Sequence, residues 1–309
     1  MILASVDTLA SSNSLINFGD LGKPATILIE RVSDAIGGAF KPWQIRRVAE
    51  AQAQADKISA VAQIEISELQ LRSMKRMLIE EAKKQQNIEE IVASSLSLLE
   101  NTADPSSIES DWISNFLDKC RLISDEGMQS LWSRILAGEA NSPGTFSKRT
   151  INFVGSMDKR EADMFATLCR FSIAWRLFPL DDELDDTVVL TQSPLVYDMD
   201  ATVYNEAGIT YVELQHLQEI GLIHFPGHHI FDYGLPRMFA LDVYGSQYSI
   251  VLPRSAQNAF EIGFVGFTQL GRDLARLCPV SPVPGFVAYL LDVWRKNGYK
   301  VSAEDISSH

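Results

Sequence analysis

The stretch WQIRRVAEAQAQADKISAVAQIEISELQLRSMKRMLIEEAKKQQNIEEIVASSLSLLEN, residues 43–101, contains neither Gly nor Pro. Its Ala, Gln, Glu, Lys, Leu and Ile are good or tolerable helix formers. It reads as one helix, roughly 85 Å long at about 1.5 Å per residue. Ile64, Leu71, Leu78, Val92 and Leu99 fall on a seven-residue ladder, and Met74 and Ile88 add the four-three spacing of a coiled-coil seam. Ser67, Glu81, Gln85 and Ser95 interrupt it. A domain of this size cannot cover so long a helix all round. Ile64, Leu71, Met74, Leu78, Ile88, Val92 and Leu99 are therefore expected to form an oligomer interface. The competing expectation is a helix folded back on its own domain, broken near Gln85-Gln86-Asn87.

Upstream, residues 1–20 are polar and rich in Ser and Asn. Leu28, Val32, Ile36 and Phe40 then recur at spacing four, the pattern of an amphipathic helix weakened at Gly37-Gly38. Lys41-Pro42-Trp43 restarts the chain with Pro near a first helical turn. Trp43, Arg46 and Arg47 add a basic-aromatic cluster suited to a lipid interface. Leu28, Val32, Ile36, Phe40, Trp43, Arg46 and Arg47 are thus candidates for peripheral membrane or partner contact. Lys23, Glu30, Arg31 and Asp34 keep the segment from spanning a bilayer. The alternative is an ordinary helix covering an apolar groove.

Downstream, Asp104-Pro105 reads as a helix start. Helices are expected over Ser106–Leu122, from Ser124-Asp125 to the Asn141-Ser142-Pro143-Gly144 turn, and over Phe146–Val154. Asp158-x-x-Glu161 forms a capping box for another, running through Trp175. Short β-like runs follow Phe178, at Thr187–Thr191, Leu222–Phe225, Ile230–Tyr233, Met238–Tyr244, Tyr248–Leu252 and Ile262–Phe267, among helices at Thr210–Leu222, Thr268–Leu277 and Phe286–Lys296. The predicted architecture is mainly α with a smaller α+β part. It divides into a lead-in with an amphipathic helix (1–42), a long coiled-coil-like helix (43–103), a helical core (104–178) and a winged-helix-like α+β domain (179–309).

That last expectation rests on Leu214-x-x-Leu217-x-x-Ile220-Gly221-Leu222-Ile223 followed by Phe267-Thr268-Gln269-Leu270-Gly271. The pattern resembles a winged-helix domain with a wing extended over residues 222–267. Its candidate recognition helix, Thr210–Ile220, carries Glu213 and Glu219 and no Lys or Arg. Phosphate contact draws chiefly on Arg and Lys.

Charge points the same way. The chain has 309 residues, 27 Lys plus Arg against 40 Asp plus Glu, a net −13 and a pI near 4.8. Residues 1–154 hold 16 basic and 20 acidic side chains, and residues 155–309 hold 11 and 20. Such a field argues against nucleic acid as a partner, leaving a protein partner at the C-terminal domain as the expectation. Three cysteines without CxxC spacing fit a reducing cytoplasm. The N-terminus lacks the pattern of a signal peptide, and no run of eighteen apolar residues occurs. A cytoplasmic protein is expected, peripheral to the inner membrane at most.

No cofactor, metal or catalytic motif emerges. His224, His228 and His229, with Asp232, lack a second ligand pair at zinc-site spacing and read as a polar turn. The acidic run Asp181–Asp186 lacks the ligand alternation and central Gly of a calcium loop. Cys120, Cys169 and Cys278 sit in apolar helical contexts and read as core thiols.

The segment from Ser124 through Trp132, Arg134, Ile135, Leu136 and Gly138-Glu139 to Pro143-Gly144-Thr145-Phe146-Ser147-Lys148-Arg149-Thr150 resembles a bacterial family, domain of unknown function 2806. The resemblance extends to Gln86-Asn87-Ile88-Glu89 and Asp111-Trp112, covers roughly residues 20–280, and departs at Gly127, where a larger helix former is expected. The helix layout followed by Thr-x-x-Gly is also similar to the abortive-infection alpha group linked to phage resistance. Neither family supplies catalytic residues. Within the motif, Trp112, Trp132, Ile135, Leu136 and Phe146 are core candidates, each worth about 1.5–3 kcal/mol when buried. Arg134, Glu139, Lys148 and Arg149 call for another role, either an ion pair such as Glu139 with Arg149 or a binding surface. The functional expectation is a self-associating interaction protein, with a phage-defence or stress role suggested by the family likeness. The alternatives are a membrane-acting effector and an acidic transcription regulator.

Overall fold

The computed structural model describes residues 22–37, 53–54, 56–57, 67–176, 190–256, 258–279 and 281–303. The fold is mainly α with antiparallel β-structure in its C-terminal part. It divides into two compact units, Met1–Ser156 and Met157–His309, so the expected boundary at 178/179 moves to 156/157.

In the first unit, α1 (Lys23–Ala35) begins with Pro24 in its first turn, where the missing N–H costs nothing. The next described long helix is α2 (Glu68–Leu96), and its start corrects the expectation of an unbroken helix from Trp43. Ser67 is extended, with φ −60° and ψ 149°, and forms a capping box with Gln70. The Gln70 amide donates to Ser67 Oγ at 3.3 Å, and the Ser67 amide donates to Gln70 Oε1 at 3.0 Å. The first of the residues that interrupt the heptad ladder therefore starts the helix. No break occurs at Gln85–Asn87. A single 3₁₀ turn, Pro105–Ser107, takes the place of the helix start expected at Asp104-Pro105. Then come α3 (Ser110–Cys120), α4 (Glu126–Asn141) and α5 (Lys148–Ser156).

The core of this unit lies between α2, α3 and α4. Trp112 stacks on Phe116 at 5.3 Å, and Phe116 meets Trp132 edge-on at 5.1 Å. Two polar ties fix the helices in register: Ser133 Oγ donates to the Ile91 carbonyl at 2.9 Å, and Asn87 Nδ2 to that of Arg121 at 2.8 Å. Buried side-chain donors satisfied in this way specify a packing that apolar contact alone leaves free to slide.

The second unit opens with α6 (Lys159–Cys169), whose N-terminus carries the Asp158/Glu161 capping box. The helix stops at Cys169 and does not run through Trp175, because β1 (Ser172–Arg176) begins there. β1 lies between β2 (Leu190–Pro194) and β5 (Met238–Val243), inside an antiparallel sheet of order β2-β1-β5-β6-β9. A short α7 (Thr202–Asn205) and α8 (Tyr211–Glu219) precede β3 (Ile223–His224) and β4 (Ile230–Tyr233). β5 turns into β6 (Ser246–Val251) through Tyr244-Gly245, both at positive φ (55° and 80°). That is the two-residue turn whose twist suits a hairpin. β7 (Ala259–Gly263), β8 (Gly266–Phe267), α9 (Gln269–Ala275), α10 (Phe286–Lys296) and β9 (Lys300–Ala303) complete the unit.

Residues 222–267 do not make one long wing. β3 pairs with β8, β4 pairs with β7, and β5–β6 is drawn into the five-stranded sheet. The pull is apolar burial. Phe239, Ala240, Leu241, Val243 and Ile250 are all buried, and Trp175 packs against Phe239 and Phe260 at 5.6 and 5.3 Å.

Candidate functional site

The surface of α2 is divided along its length. Its buried residues, Asn87, Ile88, Glu89, Ile91, Val92, Ser95 and Leu96, all lie in the last ten positions, where α4 covers the helix. Ile88 and Val92 are thus corrected as oligomer contacts: they are 5% and 0% exposed within their own chain. From Glu68 to Gln86 no residue is buried. Leu71, Met74 and Leu78 are half-buried there, and Leu69 and Met77 are 66% and 55% exposed. Leu99, past the helix end, is half-buried, and Ile64 lies outside the described residues. This leaves about 28 Å of helix bearing apolar side chains open to solvent.

α1 packs on the Pro105–Ser107 turn and on α3. Leu28 and Val32 are fully buried there, which corrects their candidacy for lipid contact. The apolar face of α1 is spent on the helical core. Ile36 is half-buried, and Phe40, Trp43, Arg46 and Arg47 lie outside the described residues. Among the described residues no helix is long and apolar enough to cross a membrane.

The motif residues meet at one corner of the first unit. Trp112, Trp132, Ile135, Leu136 and Phe146 are each no more than 4% exposed. Glu139 is buried too, but Arg149 is not its partner. Its carboxylate oxygens accept the backbone amides of Gly144 at 2.7 Å and Phe146 at 2.8 Å, holding the Ser142–Phe146 turn against α4. Trp112 closes the corner by donating its indole N–H to the Phe146 carbonyl at 2.6 Å. Burial pushes the Glu139 carboxyl above its ordinary range, against the pull of those amides. Of the other motif charges, Arg134 is half-buried and Arg149 is exposed. Lys148 sits 3.7 Å from both Glu109 and Asp111, a loose surface pairing worth little.

In the second unit, the Gly-Leu-Ile and Thr-x-x-Gly segments interlock. Thr268 Oγ1 donates to the Gly221 carbonyl at 2.7 Å and accepts the Gly271 amide at 3.0 Å, capping α9. A Cβ on Gly271 would stand 2.1 Å from the Leu222 carbonyl oxygen, so only glycine lets the two backbones meet. The pairing of these segments is therefore structural.

A cavity of about 300 Å³ is lined by Asp158, Arg160, Glu161, Met164, Val212, Glu213 and His216. His216 Nε2 lies 3.0 Å from Glu161 Oε1, while Glu161 Oε2 accepts the Asp158 amide at 3.0 Å. Glu161 thus ties α6 to α8 through Oε1 and caps its own helix through Oε2. His224 and His228 are exposed, and His229 pairs with Glu261 and sits edge-on to Phe264 at 4.2 Å. Among the described residues no group of three His, Cys, Asp or Glu side chains is placed to hold a metal ion. The run Asp181–Asp186 lies outside the described residues. Two exposed apolar groups mark this unit: Tyr211 with Val212 on α8, and Phe231, Tyr233 and Met238 on β4 and the start of β5. Sequence periodicity passed over the second, because alternate residues of β4 point outward and carry aromatic rings.

The family model described as "Protein of unknown function (DUF2806)" matches residues 71–291. No curated protein and no solved structure matches the chain.

Proposed function

The chain belongs to the DUF2806 family, and from that premise we propose that it is a cytoplasmic interaction protein that self-associates through the N-terminal half of α2. The observation that carries this reading is the face of Leu71, Met74 and Leu78, flanked by the exposed Met77, on a helix in which no residue from Glu68 to Gln86 is buried. An exposed apolar stripe of this extent marks an interface, and a second copy of the same stripe is its simplest complement. The exposed Phe231, Tyr233 and Met238 support a protein partner at the second unit. Three cysteines without CxxC spacing support a reducing compartment. The layout likeness to the abortive-infection alpha group supports a setting in phage defence.

Sedimentation velocity tests the reading. The wild type is expected to be multimeric at micromolar concentration. The Leu71→Glu/Leu78→Glu double variant is expected to be monomeric with an unchanged circular-dichroism spectrum, because neither side chain is buried within its own chain and a carboxylate in a dry interface is costly. A monomeric wild type across that range would sink the reading.

A further inference from the structure

β4 is a sheet edge with open backbone groups at its two exposed aromatic residues. Among the described residues it pairs only with β7, and Phe231 lies opposite Glu261. Glu261 directs its backbone elsewhere. Its amide donates to the Tyr299 hydroxyl at 3.2 Å, and its carbonyl accepts the Tyr197 hydroxyl at 2.8 Å. Both groups point away from β4, so Phe231–Glu261 is a non-hydrogen-bonded pair of the antiparallel ladder. Phe231, and Tyr233 two residues on, therefore turn their N–H and C=O groups to the outer edge. The same two residues carry exposed rings with centroids 6.2 Å apart. Open edges are usually blunted by lysine, proline or a bulge. The register shifts between Ile230 and Phe231, but Ile230–Tyr233 contains neither lysine nor proline.

We propose that the outer edge of β4 takes an extended basic strand of a partner protein, paired antiparallel to Phe231–Tyr233. The inference rests on the second unit being the partner-binding part of the chain. In strand addition the main chain supplies affinity and alternate side chains supply specificity. Residues of the incoming strand opposite Phe231 and Tyr233 share their face, where β-branched side chains pack on aromatic rings. The residue between them lies opposite Asp232, so a lysine or arginine there meets a carboxylate. The wider field has the same sign. Residues 155–309 hold 11 basic and 20 acidic side chains, a balance that draws in a cationic segment. Charge also decides against a second copy as the occupant. Hydrogen bonds between Phe231 of one copy and Tyr233 of another would set the two Asp232 carboxylates directly opposite, a repulsive pair. They would also bring two acidic units together.

The test titrates the full chain into a fluorescein-labelled peptide of alternating lysine and valine, blocked at both ends, and follows anisotropy. Saturable binding is expected, with slowed amide exchange at Phe231 and Tyr233. The same peptide N-methylated at its valines keeps its charge but loses the donors that face the edge. It should bind at least about tenfold more weakly, as the loss of two hydrogen bonds implies. Phe231→Ser/Tyr233→Ser should weaken the unmodified peptide to a similar degree, and the N-methylated arm decides even if that variant does not fold. Equal binding of the two peptides, protection away from β4, or no saturable binding would overturn the inference. Sedimentation keeps it apart from self-association through α2. The Phe231→Ser/Tyr233→Ser variant should remain multimeric, and its dissociation would show that a second copy fills the edge, which also overturns the inference. A wild type that binds the peptide at β4 but is monomeric would sink the α2 reading and leave this one standing.

Discussion

Replacing Trp132 separates two opposed contributions of one side chain. Trp132 is 0% exposed and meets Phe116 edge-on at 5.1 Å, yet its indole N–H is enclosed without a hydrogen-bond partner. Trp132→Ala removes the ring and leaves a cavity, a change that costs about 3–5 kcal/mol in packed cores. The lost edge-to-face pair, itself worth about 0.5–1.5 kcal/mol, puts the cost toward the upper end of that range. Trp132→Phe keeps an aromatic ring beside Phe116 and removes the stranded donor. The smaller ring forfeits the burial of about two carbons, about 1.5 kcal/mol. Losing a buried unpaired N–H returns about 1–3 kcal/mol. The two nearly cancel, so Trp132→Phe is expected within about 1 kcal/mol of the wild type. Urea unfolding by circular dichroism, with separate transitions fitted where the two units melt apart, gives both values. A Phe variant as damaged as the Ala variant would refute the reasoning, because the indole N–H must then have a partner such as a buried water.

Other perturbations test the remaining sites. Because burial raises the folded carboxyl of Glu139 above its ordinary 4.5, its contribution is fully present below that value and is lost as pH rises through the raised one. Stability measured from pH 4 upward should therefore fall in the wild type relative to Glu139→Gln, and parallel curves would contradict this. At neutral pH Glu139→Gln also leaves one of the Gly144 and Phe146 amides facing an NH₂ group, which should loosen the turn and raise its amide exchange. Thr268→Ala is expected to cost about 1 kcal/mol in thermal or urea melts, as lost helix caps do. Gly271→Ala should cost more, since its Cβ would meet the rigid Leu222 carbonyl and the backbones would have to part.

Elements with a clear period were legible in the sequence. Ile230–Tyr233 and Phe286–Lys296 form at the residues where alternation and helical spacing place them. Where the partner is distant, the reading failed. Phe171–Trp175 is almost continuously buried, and a short apolar run carries no period that separates strand from helix. Its state is settled by β2 and β5, and β5 lies more than sixty residues away. The ladder of α2 was visible, but not that α4 covers Ile88 and Val92 while leaving Leu69 bare. Glu139 was visibly out of place for a core residue. Its partners were not readable, because backbone amides of a turn carry no sequence signature, and a nearby Arg drew the eye.

The fifth strand has a consequence for synthesis. β9 pairs along β6, with Tyr248 opposite Ala303 and Val251 opposite Lys300, while β1, in the same sheet, lies near the start of the unit. At about 5–20 residues per second, roughly 2–10 seconds separate the emergence of β6 from that of β9. Through that interval β6 stands on the nascent chain with an open edge that could pair with a neighbouring copy. The helices of the first unit, whose contacts are closer in sequence, have finished by then. A ribosome pausing beyond residue 251 would lengthen that exposure, and one pausing within the first unit would not.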